Sequence, residues 1–426
     1  DLSDKKDDGS DKKDGDKKPD GDSKDDKNKK DNADDKDSQK GDIQKPDDES
    51  EQVDHSDAAA DYASNIIAGN SVYLGELSSE YGISFDEEFE KTMDKIEADY
   101  KEFLDKPEDF LAENWQDVLA VYVMKYGQDA GIKMDKSCRD DLEQIFFLMN
   151  VRSNSAILRK LEKIQKEEVS ETEGRSAETE KAAEVEESTE TEKEADAEES
   201  TETKKVAEAD AKEYRALSVQ DYIALYGADE EQTAILEKYT STKCRQLCAI
   251  VTASKGFVRS EAGSDVSEER VSIVAAACSL IGKVGYFWGG KSYAIGWDDS
   301  WGSPMTVSAE GSKSSGTVRS YGLDCSGFVA WSYYNGLGGK DAGIGNHTTT
   351  QWNASEMVDS QSARPGDLVF YHPASAGDDN HVGIVVGVND NGSLLVVHCS
   401  SSQNGVMTGE AWSAGFQYVR SPLGLE

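Results

Sequence analysis

The sequence predicts an α+β chain in which helices fill the middle and a helix plus an antiparallel sheet closes the C-terminal end. Apolar residues recur at helical spacing between about Asp54 and Glu168. Two other stretches are too polar to build a core. Beyond Val266 the pattern switches to Gly-rich loops, aromatics and short alternating runs, and six of the seven tryptophans (all but Trp115) fall there.

Residues 1–54 alternate Asp, Lys, Gly and Ser with almost no apolar side chain, which predicts a disordered charged tail serving as a spacer. Residues 55–168 predict a helical accessory domain. Phe89, Met93, Ile96 and Tyr100 share one helical face. Pro107 suits a first helical turn. Phe110, Leu111, Val118, Leu119, Tyr122 and Val123 continue the stripe around Trp115. Leu142, Ile145, Phe146 and Met149 mark a third helix, and Ile157, Leu161 and Ile164 a fourth. No polar constellation in this region suggests chemistry. Residues 169–210 form an acidic low-complexity linker, with Glu-Glu-Ser-Thr-Glu-Thr at 186–191 and again at 198–203. In the helical segment 211–255, Ser218 and Asp221 have capping-box spacing, and Ile223, Leu225, Ile235, Leu236, Tyr239 and Leu247 predict two helices. Their apolar stripe needs a partner, either the helices of 55–168 or the C-terminal domain.

The last domain, 266–426, opens on a helix carrying Ile273, Ala277, Leu280 and Ile281, which ends at Gly282 and Gly285. Leu368–Tyr371, Val382–Val388 and Leu394–Cys399 predict strands, with Asn389-Asp390-Asn391-Gly392 as the turn between the last two.

The formal net charge is −39, and about half of that excess lies in residues 1–50 and 167–210. With no basic patch to meet phosphates, nucleic-acid binding is excluded. The longest apolar runs, Val118–Met124 and Val271–Ile281, are too short to span a membrane. The chain starts at Asp1 without a signal peptide, which reads as a trimmed or mature form lacking its export signal or anchor. An extracellular, cell-surface or cell-wall location is expected, with a membrane tether or secretion-system partner engaged through the missing N-terminus. Six cysteines over this length make no disulfide framework. Cys244 and Cys248 lie one helical turn apart with no histidine near them, and are expected to be packed thiols rather than a metal pair.

Only five histidines exist, and two of them follow Cys325 at strand-like positions, His381 and His398. A thiol nucleophile needs an imidazole base, and the imidazole needs a polar group to orient it. Phe328, Val329 and Ser332 or Tyr333 share a helical face, so Cys325 is expected in a first turn, where the dipole favours a thiolate. Alternation puts His398 and Cys399 on opposite faces of their strand, with Cys399 in the core. His381 begins its strand between Asn380 and Gly383, an arrangement expected to leave room for a substrate. On residue chemistry alone three readings stay open: a cysteine hydrolase, a coincidence of structural Cys and His, and a zinc site of Cys325, His381 and His398 lacking a fourth ligand.

The runs Asp324-Cys325-Ser326-Gly327-Phe328, Ala363-Arg364-Pro365-Gly366-Asp367-Leu368-Val369-Phe370 and His381-Val382-Gly383-Ile384 resemble the NlpC-type cell-wall endopeptidases, a papain-like cysteine peptidase family. Tyr286-Phe287-Trp288-Gly289-Gly290 resembles that family's aromatic-Gly-Gly element, and the four occur in the family's order over about residues 266–422. The resemblance implies hydrolysis of an amide bond in peptidoglycan stem peptides, commonly between D-glutamate and the diamino acid. It makes Cys325 the nucleophile, His381 the general base and then acid, and His398 the orienting residue, with no metal and no cofactor. For members that read a free stem amine, it implies substrate contacts from Tyr286, Asp324 and Ser326; helix capping is the other reading of Asp324 and Ser326. The long Gly/Ser/Trp-rich stretch between Gly290 and Leu323, with Trp297 and Trp301, departs from the short connection of many members and is expected to shape or cover the cleft. Asn114-Trp115-Gln116-Asp117-Val118-Leu119-Ala120-Val121-Tyr122 additionally resembles hydrolases encoded on conjugative elements of Gram-positive bacteria, implying local wall opening for DNA transfer. An amidase or acyltransferase on the same fold, and a catalytically silent wall-associated scaffold, are the alternatives.

Overall fold

A computed structural model describes residues 73–127, 131–153, 155–166 and 214–425. The charged tail expected over 1–54, the linker expected over 169–210, and His55 lie outside the described residues.

The helical part contains α1 (Phe89–Lys101), α2 (Trp115–Tyr126), α3 (Arg139–Met149) and α4 (156–166), then α5 (Val219–Tyr226), α6 (Glu230–Tyr239), α7 (Thr242–Thr252) and α8 (Lys255–Ala262). Short strands join it. β1 (Ile83–Phe85) pairs in parallel with β2 (Ile132–Met134), and β3 (Asn150–Arg152) pairs antiparallel with β4 (Tyr214–Ala216). The periodicity located α1, α3 and α4, whereas Pro107 opens only a short 3-10 turn, Pro107–Asp109. After Ser218, whose capping box with Asp221 is formed, four short helices precede residue 263 where the pattern predicts two.

Helix α2 is buried nearly all round, which makes it the centre of this region rather than one more amphipathic surface helix. Its start is stitched to distant chain. Asn114 Nδ2 donates to Met149 O and Leu217 O, both at 3.0 Å, and Asn114 Oδ1 accepts from Asn150 Nδ2 at 3.1 Å. Trp115 Nε1 donates to Glu97 Oε1 at 2.7 Å, and Val219 N donates to Asp117 Oδ1 at 2.8 Å. The Asn114–Tyr122 run is therefore a packing hub. Segment 219–252 packs both ways: α6 lies on α2, while Gln246 Nε2 on α7 donates to Val388 O of the large sheet at 3.2 Å. One hydrophobic core runs without a break from Leu77 to Val406.

The C-terminal part opens on α9 (Glu268–Ser279), followed by the β5 (Pro304–Thr306) and β6 (Val318–Ser320) hairpin, α10 (Cys325–Gly336) and α11 (Thr348–Asn353). Strands β7 (Ser355–Met357), β8 (Leu368–Phe370), β9 (Val382–Val388), β10 (Leu394–Ser400), β11 (Gly405–Glu410) and β12 (Tyr418–Pro422) form an antiparallel sheet in the order β11-β10-β9-β8-β12-β7. Helix α10 packs against α9 on one side and against β9 and β10 on the other. The mixed helix and antiparallel-sheet architecture is the one the sequence predicts. The Arg-Pro-Gly-Asp run explains part of the docking: Arg270 on α9, almost wholly buried, donates to Asp367 Oδ1 and Pro365 O at 2.9 Å each, and Arg364 N donates to Asp367 Oδ2. Both charges are out of water and both are fully partnered, as a buried pair must be to persist.

Candidate active site

Asp324 caps α10, its Oδ1 accepting from Gly327 N at 2.6 Å, and this puts Cys325 at the first helical position. The backbone N–H groups of Ser326 and Val382 are directed at the Cys325 sulfur, so the thiol lies where the start of α10 meets the start of β9. The first-turn position is the expected one, but the thiol there is buried, at 7%. Burial pushes it up to about 12; the Asp324 charge adds to that rise, and Lys291 opposes it. Desolvation outweighs the helix dipole here, so Cys325 rests as a neutral thiol.

His381 and His398 meet across β9 and β10, with His381 Nε2 and His398 Nδ1 2.7 Å apart. Burial holds both imidazoles well below their ordinary range. Two ring nitrogens this close share one proton, so they are not both free to ligate a single ion. Among the described residues no three His, Cys, Asp or Glu side chains gather as metal ligands.

The neighbours of His381 act differently from the sequence expectation. Asn380 Oδ1 accepts from both His372 N and His381 N at 2.9 Å, clamping the backbone that carries the His381 ring. Gly383 does not make room for a substrate. A Cβ there would meet His398 Cβ and Phe416 at 3.1–3.2 Å, so the missing side chain is what lets His398 approach. Phe416 stacks on His381 at 5.5 Å and Tyr371 tilts against it at 4.8 Å. His347 and His372 are exposed loop positions. Cys399 is a core thiol on the other face of β10, donating to Leu323 O. Cys244 and Cys248 are packed thiols facing Gln116 Nε2.

Tyr286 pairs its backbone in parallel with Leu323 and lies close enough that the charges of Cys325 and Asp324 join burial in raising its hydroxyl. Asp324 and Ser326 flank the thiol, but each is already engaged. Lys291 Nζ reaches Asp324 Oδ1 at 2.6 Å, Asp324 Oδ2 at 2.5 Å and Ser326 Oγ at 2.9 Å, and Ser326 Oγ donates to Asp324 Oδ1. The sequence reading missed Lys291; its signal was only its place directly after the Gly-Gly of the aromatic element. Phe416, Tyr371 and Gln351, whose Nε2 donates to Ser326 O at 2.8 Å, were equally silent because their ring and amide contacts form only in the fold.

The inserted stretch is ordered around a ladder of tryptophans. Trp297, Trp301 and Trp331 of α10 contact edge to face at 5.0 and 5.6 Å, and Asn335 of α10 bonds Ala294 O and Gly296 N. Over the C-terminal end of α10, beside Asn335 and Gly339, this stretch leaves Tyr293, Ile295 and Trp297 exposed.

Residues 283–419 match the NlpC/P60 family. Solved structures similar to the chain include the peptidoglycan hydrolase RipB from Mycobacterium tuberculosis (25% identity, covering 47% of this chain and 88% of that one, TM-score 0.26). The NlpC/p60 domain of the peptidoglycan hydrolase SagA is another (26% identity, 36% and 97% covered, TM-score 0.25). A third is RipD from Mycobacterium tuberculosis, a non-catalytic NlpC/p60 domain protein with a peptidoglycan-binding function (21% identity, 36% and 98% covered, TM-score 0.25). No curated protein matches the chain. With its four motifs, its helix-borne cysteine and its sheet-borne histidines inside the matched span, this chain carries an NlpC/P60 domain over residues 283–419.

Proposed function

We propose that this protein is a cell-surface peptidoglycan hydrolase that cuts the stem peptide between D-glutamate and the diamino acid by thiol chemistry. The observation that carries the reading is the His381–His398 contact at 2.7 Å, beside a cysteine at the first position of a helix. With Nε2 of His381 engaged by His398, Nδ1 is the nitrogen left to take a proton from the Cys325 thiol. Sulfur then attacks the amide carbonyl, and N–H groups of the first turn of α10 stabilise the oxyanion. The imidazolium returns its proton to the leaving amine, giving a thioester that water hydrolyses with His381 again as base. Starting from neutral thiol and neutral imidazole suits a site whose burial disfavours both charges.

Turbidity loss of purified walls, with mass spectrometry of the products, tests this. A D-glutamyl terminus paired with a free diamino acid amine is expected; a stem released whole from its sugar would mean an amidase. The burial of Cys325 favours one competing reading, a wall-binding protein that does not cut. Co-sedimentation with walls that lose no turbidity would establish it. The role in wall opening for DNA transfer rests on the resemblance of 114–122 alone, since that run serves packing here.

A further inference from the structure

Beside the thiol the structure has built a cradle for an ammonium group and filled it. An ammonium has three N–H donors. Those of Lys291 meet three acceptors: both carboxylate oxygens of Asp324 and the hydroxyl of Ser326, the residues on either side of Cys325. The lysine is held there by its backbone. Tyr321 Oη donates to Lys291 O at 2.6 Å, and Asp324 N donates to Gly290 O at 3.1 Å. Gly327 makes the approach possible, because a Cβ there would lie 2.2 Å from Gly290 O and 3.0 Å from Lys291 Cδ. Nor is the cradle sealed: the side chains of Lys291 and Asp324 are 17% and 11% exposed, so a ligand passing the nucleophile meets them.

This goes further along the stem-peptide reading above and depends on it. A bond cut after the second residue of a stem places the stem's own α-amine about two residues away, roughly 7 Å along an extended chain. That is the distance at which groups next to the nucleophile operate. We infer that Lys291 is a specificity-determining residue which permanently occupies the amine cradle, so that this site takes stems whose α-amine is acylated, as when still joined to the glycan, and rejects stems with a free amine. A free ammonium arriving there must expel a preorganised cation or sit against it, and either costs affinity. An acylated nitrogen carries no charge and makes no such demand. The protein would then act on intact wall rather than on shed peptides.

The test uses the full chain and diamino-acid-containing stems from purified walls, prepared in two forms: with muramic acid on the amine, and freed by an amidase. Wild type should show kcat/KM at least about tenfold higher on the acylated form. Lys291→Met should bring that ratio down about tenfold or more, chiefly by accelerating the free-amine stem, while Lys291→Arg should keep the wild-type ratio. Equal or better cutting of free-amine stems by wild type overturns the inference, as does a Lys291→Met variant in which both substrates fall together. Should Lys291→Met not fold, the wild-type ratio decides alone. No cutting of either form by wild type refutes instead the hydrolase reading beneath it.

Discussion

Cys325 stands where a helix N-terminus invites a thiolate and burial forbids one, and burial wins. On the proposed mechanism, reactivity then comes from proton transfer from Cys325 to His381. Cys325→Ala or Cys325→Ser should abolish wall hydrolysis with an unchanged circular dichroism spectrum; residual turbidity loss in either variant would rule out the thiol. Alkylation at neutral pH should be slow at Cys325 yet still precede Cys399, which is wholly buried, as peptide mapping would read. His381→Ala should lower kcat/KM by about 10³ or more, and His398→Asn by about 10- to 100-fold, since an amide can still orient the ring whereas nothing replaces the base. His398 also has a stability signature. Its folded value is depressed to about 4, below the ordinary 6.5. The folded state thus binds fewer protons, and stability is lost as pH falls from about 6.5 toward 4. The melting temperature of His398→Asn relative to wild type should therefore rise between pH 7 and pH 5. Cys325, His381 and His398 stood out in the sequence because their residue types are rare in the chain, and the structure puts Cys325 at the start of α10, His381 just before β9 and His398 inside β10. Lys291 was not, since one lysine in a loop has no periodicity, and Gly383 was misread because its empty space is taken by residues 15 and 33 positions away.

Among the elements, α2 repays the closest attention, because its first turn holds chain segments that lie far apart in sequence. Asn114→Ala would leave Leu217 O without its Asn114 donor, strip a partner from Asn150 and leave Met149 O with Leu217 N alone, which should cost roughly 1–3 kcal/mol by chemical denaturation. A loss below about 0.5 kcal/mol would show that water replaces these bonds. Elements with strong periods or alternation were readable: α1, α3, β9 and β10 lie close to where the pattern puts them. β7, β11 and β12 were not, because Ser-Glu-Met and Gly-Val-Met-Thr-Gly-Glu owe their pairing to neighbours rather than to intrinsic pattern. The hub role of Asn114 was hidden for the same reason: a buried amide announces itself only through its partners.

For the whole molecule, a single core joining the helical part to the sheet predicts that cutting the chain does not separate them. A site-specific protease sequence placed at residue 190 should, once cleaved, leave two pieces that co-elute on a sizing column. Separation would mean that the β3–β4 pairing and the Asn114 bonds are too weak to hold the halves. The motifs pointed to the span that matches the NlpC/P60 family, but this continuity was illegible, because nothing in the apolar stripe of 219–252 says which of two surfaces it will choose. It chose both.

The pairing of Arg152 with Tyr214 has a mechanical corollary. Helix α4 folds back to put Gln165 Nε2 3.2 Å from Asp221 Oδ1 and Lys160 Nζ 3.1 Å from Leu225 O, so the chain leaves and re-enters this region at nearly one point. An excursion with both feet planted together cannot transmit reach. Lengthening or trimming 170–208 should change loop-closure entropy by only about 0.6 kcal/mol per doubling and leave the working radius of the thiol untouched.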